Sequence, residues 1–160
     1  MQTFLPYPDY VVSARCLDNK RLGKQRLECK QILLALGVAV GPHTPGKRGW
    51  RNHPAVRMWK GHESSLIVYA TCVCFEWRRR GFLDNLGSEF IDLYCAVGET
   101  PAVKPHWVSH EPFHASHRSN LLRKDSEFYG KFGWAEPDDM PYFWPIGKDA
   151  DESKVAAPSG

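Results

Sequence analysis

The sequence predicts a mostly α-helical protein that forms a single compact domain around two long helices, with an extended N-terminal segment and an irregular C-terminal part. Apolar residues recur every three or four positions in two long stretches, which is the periodicity of an amphipathic helix. Signals for β-strands are weak and no internal repeat is present. The 160 residues, 42% of them hydrophobic, suffice for one core but not for two.

The domain is expected to span residues 1–146. Residues 147–160 contain few bulky apolar side chains and are expected to form a disordered tail. The net charge of +3 is compatible with a nucleic-acid partner but does not require one.

The first elements are an extended segment and a long helix. Two prolines among residues 1–9 disfavour helical conformation in the residues before them. The helix that follows is expected to begin near Ser13 or Asp18, both of which are favourable N-caps, and to end at Gly37.

The second long helix follows a loop rich in glycine and proline at residues 37–50. Asn52 is a suitable N-cap, and Pro54 fits the first turn, where no amide donor is needed. Apolar residues then recur at helical spacing up to Gly81, and Gly61 is expected to kink or divide this helix.

Three further elements complete the chain. A shorter helix is expected at residues 86–96, and a short helix at residues 119–124 within an otherwise irregular segment. The aromatic stretch at residues 137–147 is expected to pack as a strap on the body of the domain.

The first helix carries a stripe of polar residues beside its apolar face. Asp18, Arg21, Gln25, Glu28 and Ile32 are spaced three or four residues apart, which is the spacing of a buried face. Because burial of an unpaired charge is costly, the polar members must pair with one another or line a wet cleft. A partly exposed ladder of salt bridges and a functional cleft both fit this pattern.

Basic residues concentrate in three stretches, residues 20–30, 47–51 and 118–124, and the second and third are interleaved with Trp or Asn. Such clusters suit phosphates and stacked bases, although each is also compatible with a solvated protein face. Arg118 in particular is expected to contact a phosphate. The candidate DNA-binding residues are Arg21, Lys24, Arg26, Arg51, Asn52, His53, His114, His117, Arg118, Asn120 and Arg123.

Residues 110–114, HEPFH, match the H-E-x-x-H pattern of zinc proteases. That pattern binds zinc only on a continuous helix, and Pro112 argues against one here. We therefore expect no metal site, and retain a metal-dependent hydrolase using His110, His114 and His117 only as an alternative.

Neither a secretory signal peptide nor an apolar run long enough to span a membrane is apparent. The five cysteines show no framework spacing and are expected to be free thiols in a reducing compartment. We expect a monomer without membrane association, located in the cytoplasm (nucleoid) or nucleus and not secreted.

Several ordered blocks resemble the pyrimidine-dimer DNA glycosylase family, the endonuclease V type of phage origin, in the branch common in bacteria and large viruses. The blocks are MQTFLPYPD, LDNKRLGKQRLE, GWRNHPAVRMWKGHE, SHRSNLLRKDSEFY and PDDMPYFWP. They extend over nearly the whole of residues 1–146.

The resemblance implies a small all-helical enzyme that excises a damaged or modified pyrimidine from double-stranded DNA and cuts the abasic strand without a metal or cofactor. In the family the N-terminal α-amine attacks the sugar C1′, and a glutamate on the first long helix assists; Glu28 is the matching residue. Arg21 and Arg26 match basic DNA contacts of the family.

The sequence is compatible with three alternatives for the nucleophile. In the first alternative Met1 is retained and supplies the amine, since Met is usually kept before a residue as large as Gln2. In the second alternative an unusual maturation removes Met1, and Gln2 supplies the amine. A third alternative is a monofunctional glycosylase in which Glu28 activates water. A non-catalytic DNA-binding module on the same scaffold is the main rival function.

Overall fold

The computed structural model describes residues 1–46, 49–97 and 102–146. Within those ranges the chain forms α-helices and no β-strand, which confirms the mostly α-helical prediction. The helices are α1 (Tyr10–Cys16), α2 (Asn19–Ala35), α3 (Pro54–Arg57), α4 (Glu63–Arg79), α5 (Leu86–Val97), α6 (Glu111–Lys124) and α7 (Ser126–Tyr129). The predicted tail, residues 147–160, lies outside the described residues.

The first predicted helix is divided into α1 and α2. Asp18 is the N-cap of α2, and its carboxylate accepts a hydrogen bond from the backbone N–H of Arg21 at 3.4 Å. The helix ends just before Gly37, whose φ of +89° is favourable for glycine. The predicted start at Asp18 and end at Gly37 are confirmed, whereas Ser13 lies inside α1.

The second predicted helix is divided into α3 and α4 by a turn at Gly61, which has a φ of +82°. Pro54 occupies the first turn of α3, as predicted. The prediction that Asn52 caps this helix is wrong, because His53 is the N-cap and its Nδ1 accepts the Ala55 N–H at 3.1 Å.

The third region is more helical than predicted. Helix α6 begins at Glu111 and continues to Lys124, so the prediction of irregular backbone with a short helix at residues 119–124 is wrong. Pro112 is compatible with this helix because it lies in the first turn, where a missing N–H leaves no hydrogen bond unmade.

Helix α4 occupies the middle of the fold and packs against α1, α2 and α5. The C-terminal aromatic strap is confirmed, and its half-buried side chains pack on the core: Tyr142, Phe143, Trp144 and Ile146. Two residues of α6 hold its backbone, since Ser116 Oγ accepts the Phe143 N–H at 3.1 Å and Asn120 Nδ2 donates to the Met140 carbonyl at 3.0 Å. Among residues 1–46, 49–97 and 102–146, none of the helices combines the length and apolar character that a bilayer span requires.

The N-terminal segment, residues 2–6, is buried and non-helical. Side chains of α6 bind its backbone, because His117 Nδ1 accepts the Leu5 N–H at 2.9 Å and Arg118 donates to the Pro6 carbonyl at 2.7 Å. On the other side of Leu5, its carbonyl oxygen lies 2.7 Å from Nδ1 of His114. These contacts fix the path of the first residues across the domain.

Acid is expected to destabilise the fold through His117. Burial, with neighbouring His114 and Arg118, lowers the pKa of this imidazole to about 3. In the unfolded chain it titrates near ~6.5, so protons bind preferentially to the unfolded state below that pH. The contribution of neutral His117 to the free energy of unfolding is therefore fully present above about pH 6.5. Below that pH it falls by up to ~1.4 kcal/mol per pH unit. Thermal melts between about pH 7 and pH 4 should show a shallower decline for His117→Gln than for the wild-type protein.

The matched control for this experiment is His43→Gln, because His43 is exposed. Its melting temperature should follow the wild-type pH dependence. A His117→Gln curve parallel to that of the wild-type protein would contradict the assignment of the acid sensitivity to His117.

Candidate active site

Glu28 places a nearly buried carboxylate beside the first residues of the chain. Only 7% of the residue is exposed, and its Oε2 accepts the backbone N–H of Gln2 at 3.4 Å. Gln25 Nε2 donates to the same oxygen at 3.2 Å, and Lys24 Nζ lies 3.7 Å from Oε1. The acid is therefore held in one orientation by a lysine, an amide and the N-terminal backbone.

Gln25 connects α2 to the N-terminal segment. Its Oε1 accepts the Phe4 N–H at 2.8 Å, and its Nε2 donates to the Gln2 carbonyl at 2.6 Å. Tyr69 on α4 donates to the Phe4 carbonyl at 2.6 Å from the other side. Within the polar stripe of α2, Gln25 is thus buried because it satisfies backbone groups of the N-terminal segment.

Around Glu28 lies an open cavity of about 360 Å³, which we term the Glu28 crevice. Its lining residues are Met1, Gln2, Phe4, Lys20, Arg21, Lys24, Glu28, Lys124 and Tyr142. Four of these side chains are basic and one is acidic, so the crevice favours an anionic ligand.

The basic side chains that line the crevice come from two helices, α2 and α6. Burial lowers the pKa of Lys124 on α6, and so does the positive charge of Arg21, Arg123 and Lys24. Because like charges in this arrangement repel one another, a phosphate bound among them would relieve that repulsion.

A hydrogen-bonded pair positions Arg21 in the crevice. Asp18 lies 3.1 Å from the Arg21 guanidinium, and the hydroxyl of Tyr129 donates to the Asp18 carboxylate. Burial acts to raise the pKa of Asp18, but the hydrogen bond from Tyr129 and the Arg21 charge lower it below its ordinary value. The carboxylate therefore stays ionised and holds the guanidinium in place.

The loop before α3 contributes a further group near the crevice. Burial and the positive charge of the chain's amino terminus lower the pKa of His53, whereas Glu28 acts in the opposite direction. The His53 ring contacts those of Trp50 and Trp144, each in an edge-to-face arrangement. Trp50 is 57% exposed, and the predicted DNA-contact residues Arg51 and Asn52 are also exposed.

Arg26 lies apart from the crevice. Its guanidinium forms a salt bridge with Asp84, with Nε at 2.8 Å from Oδ1, and lies over the ring of Trp77. Asp84 also accepts backbone N–H groups at the start of α5. These contacts give Arg26 a structural role between α2 and α5 in place of the predicted DNA contact.

The predicted DNA contacts of His114, His117 and Asn120 conflict with their complete burial. The two histidines bind the N-terminal segment and Asn120 binds the aromatic strap. Arg118, which is 8% exposed, is engaged by Glu111 and Glu136 as well as by the Pro6 carbonyl. These four residues hold the fold together and are not available to DNA in this structure.

Of the candidate basic residues on α6, Arg123 remains exposed and donates to the Asn120 side chain. The crevice is also lined by four residues that were not predicted to belong to the site: Lys20, Lys124, Phe4 and Tyr142. The two lysines belong to the predicted basic clusters, which was a usable signal. Nothing in the sequence indicated that Phe4 and Tyr142 approach Glu28.

The structure gives no support to the alternative metal site. Among the described residues, no group of three or more His, Cys, Asp or Glu side chains is arranged to hold a metal ion. Both ring nitrogens of His114 lie against backbone carbonyl oxygens, those of Leu5 and Val108, and His117 Nδ1 is occupied by the Leu5 N–H.

Comparison with known protein families gives one match. The sequence profile of the pyrimidine dimer DNA glycosylase family matches residues 1–89, a range that includes Glu28 and more than half of the chain. No curated protein and no solved structure gives a significant match. The family implies DNA glycosylase activity and therefore a DNA substrate. The basic crevice around a buried glutamate is consistent with that substrate, and the chain belongs to the pyrimidine dimer DNA glycosylase family.

Proposed function

We propose that this protein excises damaged pyrimidines from double-stranded DNA and cleaves the resulting abasic strand through an imine formed by its N-terminal α-amine. The observation that carries the proposal is the 3.4 Å separation between the Gln2 backbone nitrogen and the Glu28 carboxylate. An amine on Met1 lies one residue from this contact, in the same crevice. If Met1 is removed, the amine of Gln2 occupies the contact itself.

The first step is base release. A free α-amine has a pKa near ~8, so a useful fraction is unprotonated and nucleophilic at neutral pH. Its nitrogen forms a bond to C1′ as the bond from C1′ to the base breaks, and the base leaves with the electron pair. Glu28 stabilises the positive charge that develops on the sugar and accepts protons from the attacking amine.

The second step is strand cleavage. The bond between C1′ and the ring oxygen O4′ then breaks, O4′ takes up a proton to become a hydroxyl, and the nitrogen lone pair forms the C=N bond of an imine at C1′. This imine makes the C2′ proton acidic. Its removal expels the 3′ phosphate by β-elimination, and water then hydrolyses the imine and frees the enzyme. The reaction needs neither a metal nor a cofactor, because the imine that the amine forms with C1′ provides the electron sink.

Phosphate contacts around the crevice are proposed to hold the duplex in an unstacked or bent form. Arg21 and Lys24 on α2 and Lys124 on α6 offer three cations that line the crevice. Exposed Arg51 and Arg123 extend this surface.

We further propose that the protein acts as a monomer in the nucleoid or nucleus.

Borohydride trapping tests the proposed chemistry. Duplex DNA with one abasic site should form a covalent adduct with the wild-type protein, because borohydride reduces the imine to a stable amine. Glu28→Gln should lower adduct yield and base excision about 100-fold or more, since its neutral side chain neither stabilises the sugar cation nor accepts a proton. Mass spectrometry of the adduct identifies the residue that carries the amine.

The matched control is Glu127→Gln, which makes the same chemical change at an exposed position on α7 and should retain activity. Full activity of Glu28→Gln would contradict the proposal. Base release without an adduct would assign Glu28 to activation of water instead, and DNA binding with neither reaction would indicate a binding module.

The salt dependence of DNA binding separates crevice cations from structural ones. Lys124→Ala should lower the slope of log K against log salt by about 0.9, because one phosphate contact is lost. Arg118→Ala should leave this slope unchanged but reduce stability by about 2 kcal/mol, because it breaks buried charged hydrogen bonds. Fluorescence anisotropy with labelled duplex and thermal melts measure the two effects. An equal reduction in slope for both variants would place Arg118 at the DNA interface after all.

A further inference from the structure

The side chain of Gln2 ends in a hydrogen-bond donor for which the described residues supply no acceptor. Its Oε1 accepts the backbone N–H of Thr3 at 2.9 Å, and this contact identifies the other terminal atom as the nitrogen. The residue is only 6% exposed. Across the part of the chain that the structure describes, Nε2 of Gln2 has no hydrogen-bond partner.

A buried donor without an acceptor is unfavourable and uncommon in folded proteins. Such a group is expected where a ligand completes it. Gln2 lines the Glu28 crevice, and its own backbone nitrogen lies 3.4 Å from the Glu28 carboxylate. The unpaired carboxamide therefore belongs to a residue whose backbone contacts the proposed catalytic carboxylate.

The chemistry of a pyrimidine nucleotide limits which acceptor can reach this position. Glu28 and the N-terminal amine act at C1′, which is bonded to N1 of the base. The ring atoms beside N1 are C2, which carries a carbonyl oxygen, and C6, which carries only hydrogen. A donor adjacent to the groups that act at C1′ thus meets the C2 carbonyl oxygen. The substituents at C4 lie on the far side of the ring.

We propose that the Gln2 carboxamide donates a hydrogen bond to the C2 carbonyl oxygen of the pyrimidine that is excised. This inference rests on the proposed function and identifies the contact that recognises the departing base. Thymine and cytosine both carry this oxygen, so the contact selects pyrimidines as a class.

The same hydrogen bond would assist base release. When the bond from C1′ to N1 breaks, both electrons remain with the base, and the negative charge is shared between N1 and the C2 carbonyl oxygen. A donor already placed at that oxygen stabilises the charge as it develops. After the base has left and taken up a proton, the abasic sugar has no such oxygen. Gln2 should therefore act in base release but not in strand cleavage.

The test compares two substrates, a duplex with a single cyclobutane thymine dimer and a duplex with a single abasic site. Gln2→Met removes the donor, and Gln2→Glu removes it while keeping an oxygen for the Thr3 N–H. Both variants should lower base release about 10- to 100-fold, in the range found when one charge-stabilising donor is removed from an active site. Cleavage of the abasic duplex should be reduced far less than base release in both variants, because the lost contact to the base is absent from that step.

Asn85→Leu is the matched control, because it exchanges an exposed carboxamide for an apolar group outside the crevice. Intact mass should verify that each variant begins at the same residue as the wild-type protein. Unchanged base release in both Gln2 variants would overturn the inference, and so would equal losses on the two substrates. Failure of the wild-type protein to release the base or to form the borohydride adduct would instead overturn the proposed function.

Discussion

The site depends on how the fold satisfies the buried backbone of residues 2–6. Among the described residues no strand lies beside this segment, so side chains must replace the ladder of a sheet. Gln25, Tyr69 and His117, from three different helices, bind its peptide groups, and Gln25 binds two of them. Removal of any of these partners would leave a backbone group unpaired in the interior, which explains why polar side chains occupy positions that leucine would otherwise fill.

The path of this backbone also determines which groups lie beside Glu28. The segment delivers the first residues of the chain to Glu28, and Gln25 binds both the segment and the Glu28 carboxylate. The crevice around the acid also contains four cations of α2 and α6, of which Lys24 pairs with it. A polar stripe on one helix thereby combines anchoring of the backbone, orientation of a carboxylate and attraction of a polyanion.

Local features of the fold could be predicted from the sequence because their causes are local. Asp18 as an N-cap and Gly37 beyond the end of α2 act within one helical turn. The error at α6 came from treating Pro112 as a helix breaker, although its effect depends on position and vanishes in the first turn. The helical stripe likewise indicated that Glu28 would face a polar environment.

The assignment of basic residues failed where the partner is distant in sequence. Arg26 pairs with Asp84, and Arg118 with Glu136, through contacts that no local spacing reveals. A cluster of basic residues therefore predicts a DNA-binding surface only when its members lack such acidic partners. Tyr142 reaches the crevice for the same kind of reason, since packing of the C-terminal strap on the core brings it there.

The contact between Leu5 and His117 joins residues 112 positions apart. During synthesis on the ribosome, the first residues of the chain emerge long before α6 exists to receive them. The segment must wait without its partners until most of the protein has been translated, because closing so long a loop is entropically costly before the rest of the core has formed. The candidate site is therefore assembled late, and a nascent chain that ends before α6 would lack the side chains that hold the N-terminal segment in place.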